Sequence, residues 1–207
     1  MTLTNHDNSG SKTGKFLPTG RATDLLDGIS ATCIDVGNPC VFVSARDLGV
    51  AGGILPDDIA ADQALLDRLD RIRRLASVAM GISRDAESTP GSIPKIAMVS
   101  PSHEHILLSG ERTTWKDADL VVRSISVGQP HKAVPITVAM ALASAATLDG
   151  SVVKECVSAE RVDGDGVTLS HPGGRLLVST TNDEDGVVKS AIVFRTARKI
   201  MDGSVYI

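Results

Sequence analysis

The sequence predicts an α+β fold in which many short antiparallel strands surround one central apolar helix, with an amphipathic helix at the periphery. Three observations carry this. Ala133 to Leu148 (AVPITVAMALASAATL) is apolar on all sides, interrupted only by Thr137, Ser144 and Thr147, and such a helix must be wrapped by other elements. Asp62 to Met80 instead repeats Leu65, Leu69, Ile72 and Leu75/Ala76 at helical spacing, so only one of its faces is buried. The last third of the chain is a series of short β-rich runs punctuated by glycine. One buried helix among many short strands satisfies that order.

The elements follow in sequence. Residues 1–15 are polar and read as a flexible leader, and 16–207 as a single domain. Ala31 to Ser44 contains two β-rich runs separated by Gly37-Asn38-Pro39, which marks a turn. The amphipathic helix carries the i,i+4 pairs Asp67/Arg71 and Asp70/Arg74, and Gly81 stands where a C-terminal cap belongs. After a Ser/Pro/Gly-rich loop, Lys95 to Ser100 is a strand, Ser102 to Lys116 a polar excursion, and Asp119 to Ser126 another strand. Val127-Gly128-Gln129-Pro130 then turns the chain into the apolar helix. The remaining strands are expected at 151–157, 166–170, 174–181, 187–195 and 203–207.

Composition excludes several function classes. The 207 residues carry 21 Lys+Arg against 25 Asp+Glu, and only 2 % are aromatic, so there is neither a basic field for phosphates nor a set of rings for stacking bases. No nucleic-acid partner is expected. Three cysteines (Cys33, Cys40, Cys156) at unrelated spacings suggest neither a disulfide framework nor a zinc cluster, and point to a reducing, cytoplasmic setting. His103 and His105 lack further ligands nearby, so they read as exposed and no metal site is expected. The most apolar stretch is too short to cross a bilayer, so no membrane association is expected.

Three stretches taken together resemble a known family. They are Asp35-Val-Gly-Asn-Pro-Cys-Val-Phe-Val43, Ser126-Val-Gly-Gln-Pro-His-Lys-Ala133 and Arg195-Thr-Ala-Arg-Lys-Ile-Met-Asp-Gly203, with His171-Pro-Gly-Gly174 between them and Pro18-Thr-Gly20 ahead. In this order they resemble the PrpF family of 2-methylaconitate cis-trans isomerases, 4-oxalomesaconate tautomerases and methylitaconate isomerases. More remotely they resemble diaminopimelate epimerase. The resemblance implies two pseudo-symmetric halves, each a barrel around a helix, with the site in the cleft between them. It matches this chain to the second, C-terminal half. It implies cofactor-free isomerisation of small unsaturated di- or tricarboxylates by allylic proton transfer. The family's catalytic lysine and cysteine belong to the first half, so the chain is expected to be inactive alone and to need a separate N-terminal-half chain or a second copy of itself. The alternative is a non-catalytic binding or assembly module, or the remnant of a split gene.

Within that frame the candidate substrate-binding residues are Asn38, Gly128, His131, Lys132, Ala133 and His171. His131 and Lys132 are expected at the start of the apolar helix, where unpaired N–H groups and partial positive charge suit a carboxylate. Lys132 would add a full charge, and His131 a hydrogen bond or a proton. Asn38 reads either as a turn residue or as an amide facing the cleft, and His171 as a strand turn or a cleft rim. His131, Lys132 and Cys40 are the weak catalytic candidates, with Cys40 also readable as a small core residue. Arg195 and Arg198 suit either carboxylate clamping or closing ion pairs.

Overall fold

The computed structural model describes residues 2–4, 12–182, 188–194 and 203. In chain order the elements are β1 (Thr2–Thr4), β2 (Asp24–Leu26), β3 (Ile29–Val36), β4 (Asn38–Ser44), α1 (Pro56–Ala61), α2 (Gln63–Ala79), β5 (Lys95–Pro101), β6 (His105–Ile106), β7 (Arg112–Thr113), β8 (Leu120–Ser126) and β9 (Gln129–Pro130). After these come α3 (Ile136–Ala145), α4 (Val152–Cys156), β10 (Val167–His171), β11 (Gly174–Asn182) and β12 (Val188–Val193).

The main sheet runs β1-β12-β11-β10-β8-β5-β4-β3-β2, with β9 beside β8; β6 and β7 form a separate hairpin. Two features correct the expected antiparallel barrel. The pairs β4–β5 and β10–β8 are parallel, so the sheet is mixed. Among the described residues the sheet does not close on itself: β1 and β2 are its two edges. The parallel pairs have a topological cause. Each joins strands linked by a helical crossover, through α1 and α2 from β4 to β5, and through α3 and α4 from β8 to β10. Both crossovers step the same way across the sheet, but β8 is antiparallel to β5 and hence to β4. Right-handed crossovers from oppositely directed strands put their helices on opposite faces.

The core divides accordingly. Cys40 and Phe42 of β4, Ala97 and Val99 of β5, and Leu120 and Val122 of β8 join α3 and α4 in one cluster. Val41 and Val43, Ile96 and Met98, and Ile125, the alternate residues of the same strands, join α1 and α2 in another. This is the period-two alternation of a sheet buried on both faces. Residues Val138 to Ala145 of α3 are all buried, as the apolar pattern requires, and the helix contacts β3, β4, β11 and β12. Helix α2 has the one-sided burial its spacing predicts, with Asp62 as N-cap accepting from Leu65 N, and Gly81 following it at φ +71°.

Several local expectations change. Residues 152–156 are helical, because Ser151 caps them by accepting from Lys154 N, an option that the β-branched pair Val152-Val153 conceals in the sequence. Gly37 alone turns β3 into β4 at φ +68°, so Asn38 and Pro39 already pair as strand residues. The polar excursion holds the small β6–β7 hairpin. Within the expected leader, Thr2–Thr4 pair with β12, and Asp35 Oδ2 accepts hydrogen bonds from Lys12 N, Thr13 N and Thr13 Oγ1. The strand expected at 203–207 lies outside the described residues apart from Gly203. No helix among the described residues is long and apolar enough to cross a membrane.

Candidate functional site

The α3-facing side of the sheet changes character where α3 begins. By strand alternation Asn38 and Cys40 of β4, Lys95 of β5, and Ser124 and Ser126 of β8 lie on that side. Register places them together. Cys40 pairs with Lys95, and Ile96 pairs with Ile125, which sets Lys95 beside Ser126. The β8–β9 hairpin then turns at Val127 and Gly128, both at positive φ (51° and 72°), and returns the chain so that His131 N donates to Ser124 O at 2.8 Å. His131 Nε2 and Ser126 Oγ share a short hydrogen bond. Lys95 Nζ donates to Thr137 Oγ1 at 3.4 Å, reaching the first turn of α3.

The electrostatics of this end are positive. Helix α3 has Pro135 at its N-cap and no side-chain cap, so its first N–H groups are unused by side chains. Lys95 stands beside them and Lys132 is exposed nearby in sequence. Burial, reinforced by the Lys95 charge, holds the His131 imidazole below its usual range, so the ring is neutral at pH 7. A neutral ring next to a fixed ammonium and an uncapped helix start can accept or donate a hydrogen bond while the cationic groups hold carboxylates.

The sequence candidates distribute as follows. His131 is half-buried within this cluster. His131 and Lys132 precede α3 rather than begin it, because the helix starts only after Pro135, whose fixed φ suits a helix entrance. Lys132 and Ala133 are exposed in the connecting loop, and Gly128 is exposed at the hairpin tip. The His171 turn does approach: a Cβ on Gly173 would lie 3.0 Å from the Lys132 carbonyl oxygen, and Gly173 N donates to His171 Nδ1. Asn38 is half-buried at the start of β4, and its φ is not positive. Cys40 is fully buried; burial pushes its thiol up to about 12, and Sγ donates to Asn38 O, a setting that suits the reading of it as a small core residue. Arg195 and Arg198 lie outside the described residues.

His105, expected to be exposed, also needs correction. His105 is buried, donating from Nδ1 to His103 O and accepting at Nε2 from Ser170 Oγ at 2.9 Å. Burial lowers its pKa. Among the described residues no group of three metal-ligating side chains converges. Lys95, Ser126 and Thr137 were missed as site residues. For Lys95 and Ser126 the signal was a charged or hydroxylic side chain at a position whose alternation with Ala97, Val99 and Val122 points to the core side; for Thr137 it was a hydroxyl interrupting the first turn of an apolar helix.

Comparison with known proteins adds a second line of evidence. The PrpF family pattern (PrpF protein) matches residues 1–207. The chain belongs to the PrpF family. Among curated PrpF-like relatives, it is 35 % identical to the 3-methylitaconate isomerase of Eubacterium barkeri, covering 97 % of this chain and 54 % of that protein. It is 36 % identical to the 2-methyl-aconitate isomerase of Shewanella oneidensis (93 % and 50 %), and 31 % identical to the 4-oxalomesaconate tautomerase of Pseudomonas putida (100 % and 53 %). The crystal structure of a methylitaconate-delta-isomerase superposes with a TM-score of 0.86 at 33 % identity, over 99 % of this chain and 54 % of that one. The chain spans about half the length of the curated relatives it matches.

Proposed function

We propose that this chain forms the carboxylate-binding wall of a PrpF-type isomerase or tautomerase acting on small unsaturated di- or tricarboxylates, of the 2-methylaconitate or 4-oxalomesaconate type. The observation that carries the reading is the meeting of Lys95, the His131–Ser126 pair and the uncapped start of α3 at one end of the sheet. The reaction removes a proton from an allylic carbon beside a carboxylate and returns one, to the far carbon where the double bond shifts, or to the same carbon after rotation where the bond changes between cis and trans. Charge accumulates on the carboxylate during this step. Lys95 and the α3 N–H groups stabilise it, and Lys132 completes the positive field. His131, neutral and tied to Ser126, hydrogen-bonds the substrate. The family resemblance implies that this chemistry is cofactor-free.

The wall is the C-terminal half of a two-sided site. The facing half brings the acid–base pair that the family resemblance assigns to it. Without that half, residues 1–207 are expected to bind polycarboxylates weakly and not to exchange substrate protons with solvent. With a complementary first half present, deuterium exchange into 2-methylaconitate or 4-oxalomesaconate appears, and Lys95→Met raises KM by about tenfold or more, the loss expected for one charged hydrogen bond. Full exchange by the chain alone, abolished by His131→Ala, would replace this reading with a homodimeric enzyme. An unchanged KM in Lys95→Met would remove Lys95 from the site.

A further inference from the structure

A second feature lies at the opposite end of β8, about 20 Å along the strand from Ser126. There the 114–119 loop and the 158–162 segment enclose a cleft of about 610 Å³, lined by Trp115, Lys116, Ser158, Glu160, Arg161 and Val162. The cleft is a constructed one. Its two walls are pinned to each other by Asp119, which is fully buried. The Asp119 carbonyl accepts from Ser158 N and Ser158 Oγ, Oδ1 accepts from Val162 N at 2.9 Å, and Oδ2 accepts from Thr168 N at 2.6 Å. Asp117 closes the loop, accepting from Thr114 N and Thr114 Oγ1 and pairing with Arg175.

Inside this frame two features look for a ligand. Arg161 Nη1 is buried and has no hydrogen-bond partner among the described residues, although a buried charged donor costs free energy while it lacks an acceptor. Trp115 is 63 % exposed and Val162 45 %, an indole and an isopropyl group left at the surface on the rim of a concave site. Lys116 Nζ lies over the Trp115 ring, 5.0 Å from its centroid, so one face of the indole already carries a cation and the other is left for a ligand. Lys116 and Arg161 outweigh Glu160 in the lining.

We propose that this cleft is a binding site for a flat organic carboxylate. The anionic group bonds the Arg161 guanidinium, with Lys116 beside it, and the flat apolar body lies against Trp115 and Val162. Guanidinium and carboxylate match as planar, two-point partners, and the rigid walls mean that little ordering accompanies binding. The site is separate from the α3 end and does not depend on the proposed isomerase function.

Trp115 is the single tryptophan of the chain, so its emission reports on this cleft alone. Titration of the full chain with 2-naphthoate is expected to quench that emission saturably. Arg161→Gln should weaken binding by about tenfold or more, and Arg161→Lys, which keeps the charge without the fork, should weaken it as well. Trp115→Leu, followed by calorimetry, should lose affinity, and the neutral analogue 2-naphthalenemethanol should bind at least about tenfold more weakly than the acid. Lys95→Met should leave the titration unchanged. Non-saturating quenching, equal affinity in both folded Arg161 variants, or loss in Lys95→Met instead would overturn the proposal.

Discussion

Two serine–histidine pairs stand in different regions of this molecule and differ in everything except their atoms. In one, His105 is tied at both ring nitrogens, to His103 O and to Ser170 Oγ, and Ser170 is fully buried. In the other, His131 is tied to Ser126 through Nε2, is half-buried, and feels Lys95. A pair whose every donor and acceptor is used inside the fold acts as a fastener, here clasping the β6–β7 hairpin to β10. A pair with spare surface beside a cation and an uncapped helix is available to a ligand. The difference lies in the surroundings and is invisible in the residue types.

That contrast can be broken most directly by stability measurements. His105→Leu should cost about 2–4 kcal/mol in urea unfolding, because Ser170 Oγ is left buried without its acceptor and the hairpin loses its clasp. His131→Leu, at a half-exposed position, should cost less than about 1 kcal/mol. Equal losses would erase the distinction.

Acid sharpens it. Both imidazoles are held below their ordinary pKa, chiefly by burial, so the folded state disfavours their protonation. Groups with lowered folded pKa values contribute stability that is fully present above the unfolded value, near 6.5, and is lost as pH falls through the folded values. Unfolding free energy should therefore decline below about pH 6.5, and His105→Leu or His131→Leu should each flatten its share of that slope. A slope unchanged in both variants would remove the histidines as its source.

A smaller effect tests the hairpin that delivers His131. Val127 is a β-branched residue at φ +51°, 68 % exposed, in a two-residue turn completed by Gly128. Asn-Gly is the favoured pair for such a turn, so Val127→Asn should stabilise by about 1 kcal/mol in the same assay. A loss of stability would show that Val127 makes a packing contribution that its exposure hides. The smallest effect concerns the thiols. Cys33 and Cys40 are pushed up to about 12 and Cys156 to about 11, each mainly by burial. Native protein at pH 8 should react slowly with a thiol reagent, Cys156 first, whereas unfolded protein should titrate all three. Rapid labelling of Cys40 would favour its reading as an acid–base group instead.

Much of the architecture was legible because burial writes a period into the sequence. The apolar run through Val138–Ala145 and the Leu65/Leu69/Ile72 stripe each produced the helix they announce. What period cannot encode is direction. Nothing in Lys95–Ser100 states that it runs parallel to β4, since both orientations bury the same residues, and the expected antiparallel barrel failed on that point. Val152–Cys156 failed differently: β-branched residues suggested a strand, and a single capping serine decided otherwise. At the candidate site the loop residues His131 and Lys132 could be read from the sequence through the family resemblance. Lys95 could not, because its relevance comes from cross-strand register with Cys40 and Ser126.

The two parallel pairs also set how this chain reaches its native state. Strands β4 and β5 cannot meet until the roughly fifty intervening residues close a loop, and β8 with β10 waits on about forty more, each closure charged to chain entropy before any pairing is gained. Hairpins such as β3–β4 and β10–β11 need no such wait. The chain is therefore expected to condense from its local hairpins and from α2, with the β8–β10 and β4–β5 seams zipping last and at rates nearer milliseconds to seconds than microseconds. Lys95 and Ser126 face each other across the antiparallel β5–β8 pair, whereas Cys40 and Asn38 reach Lys95 only when the β4–β5 seam closes. The β4 side of the candidate site is then among the last things the folding chain acquires.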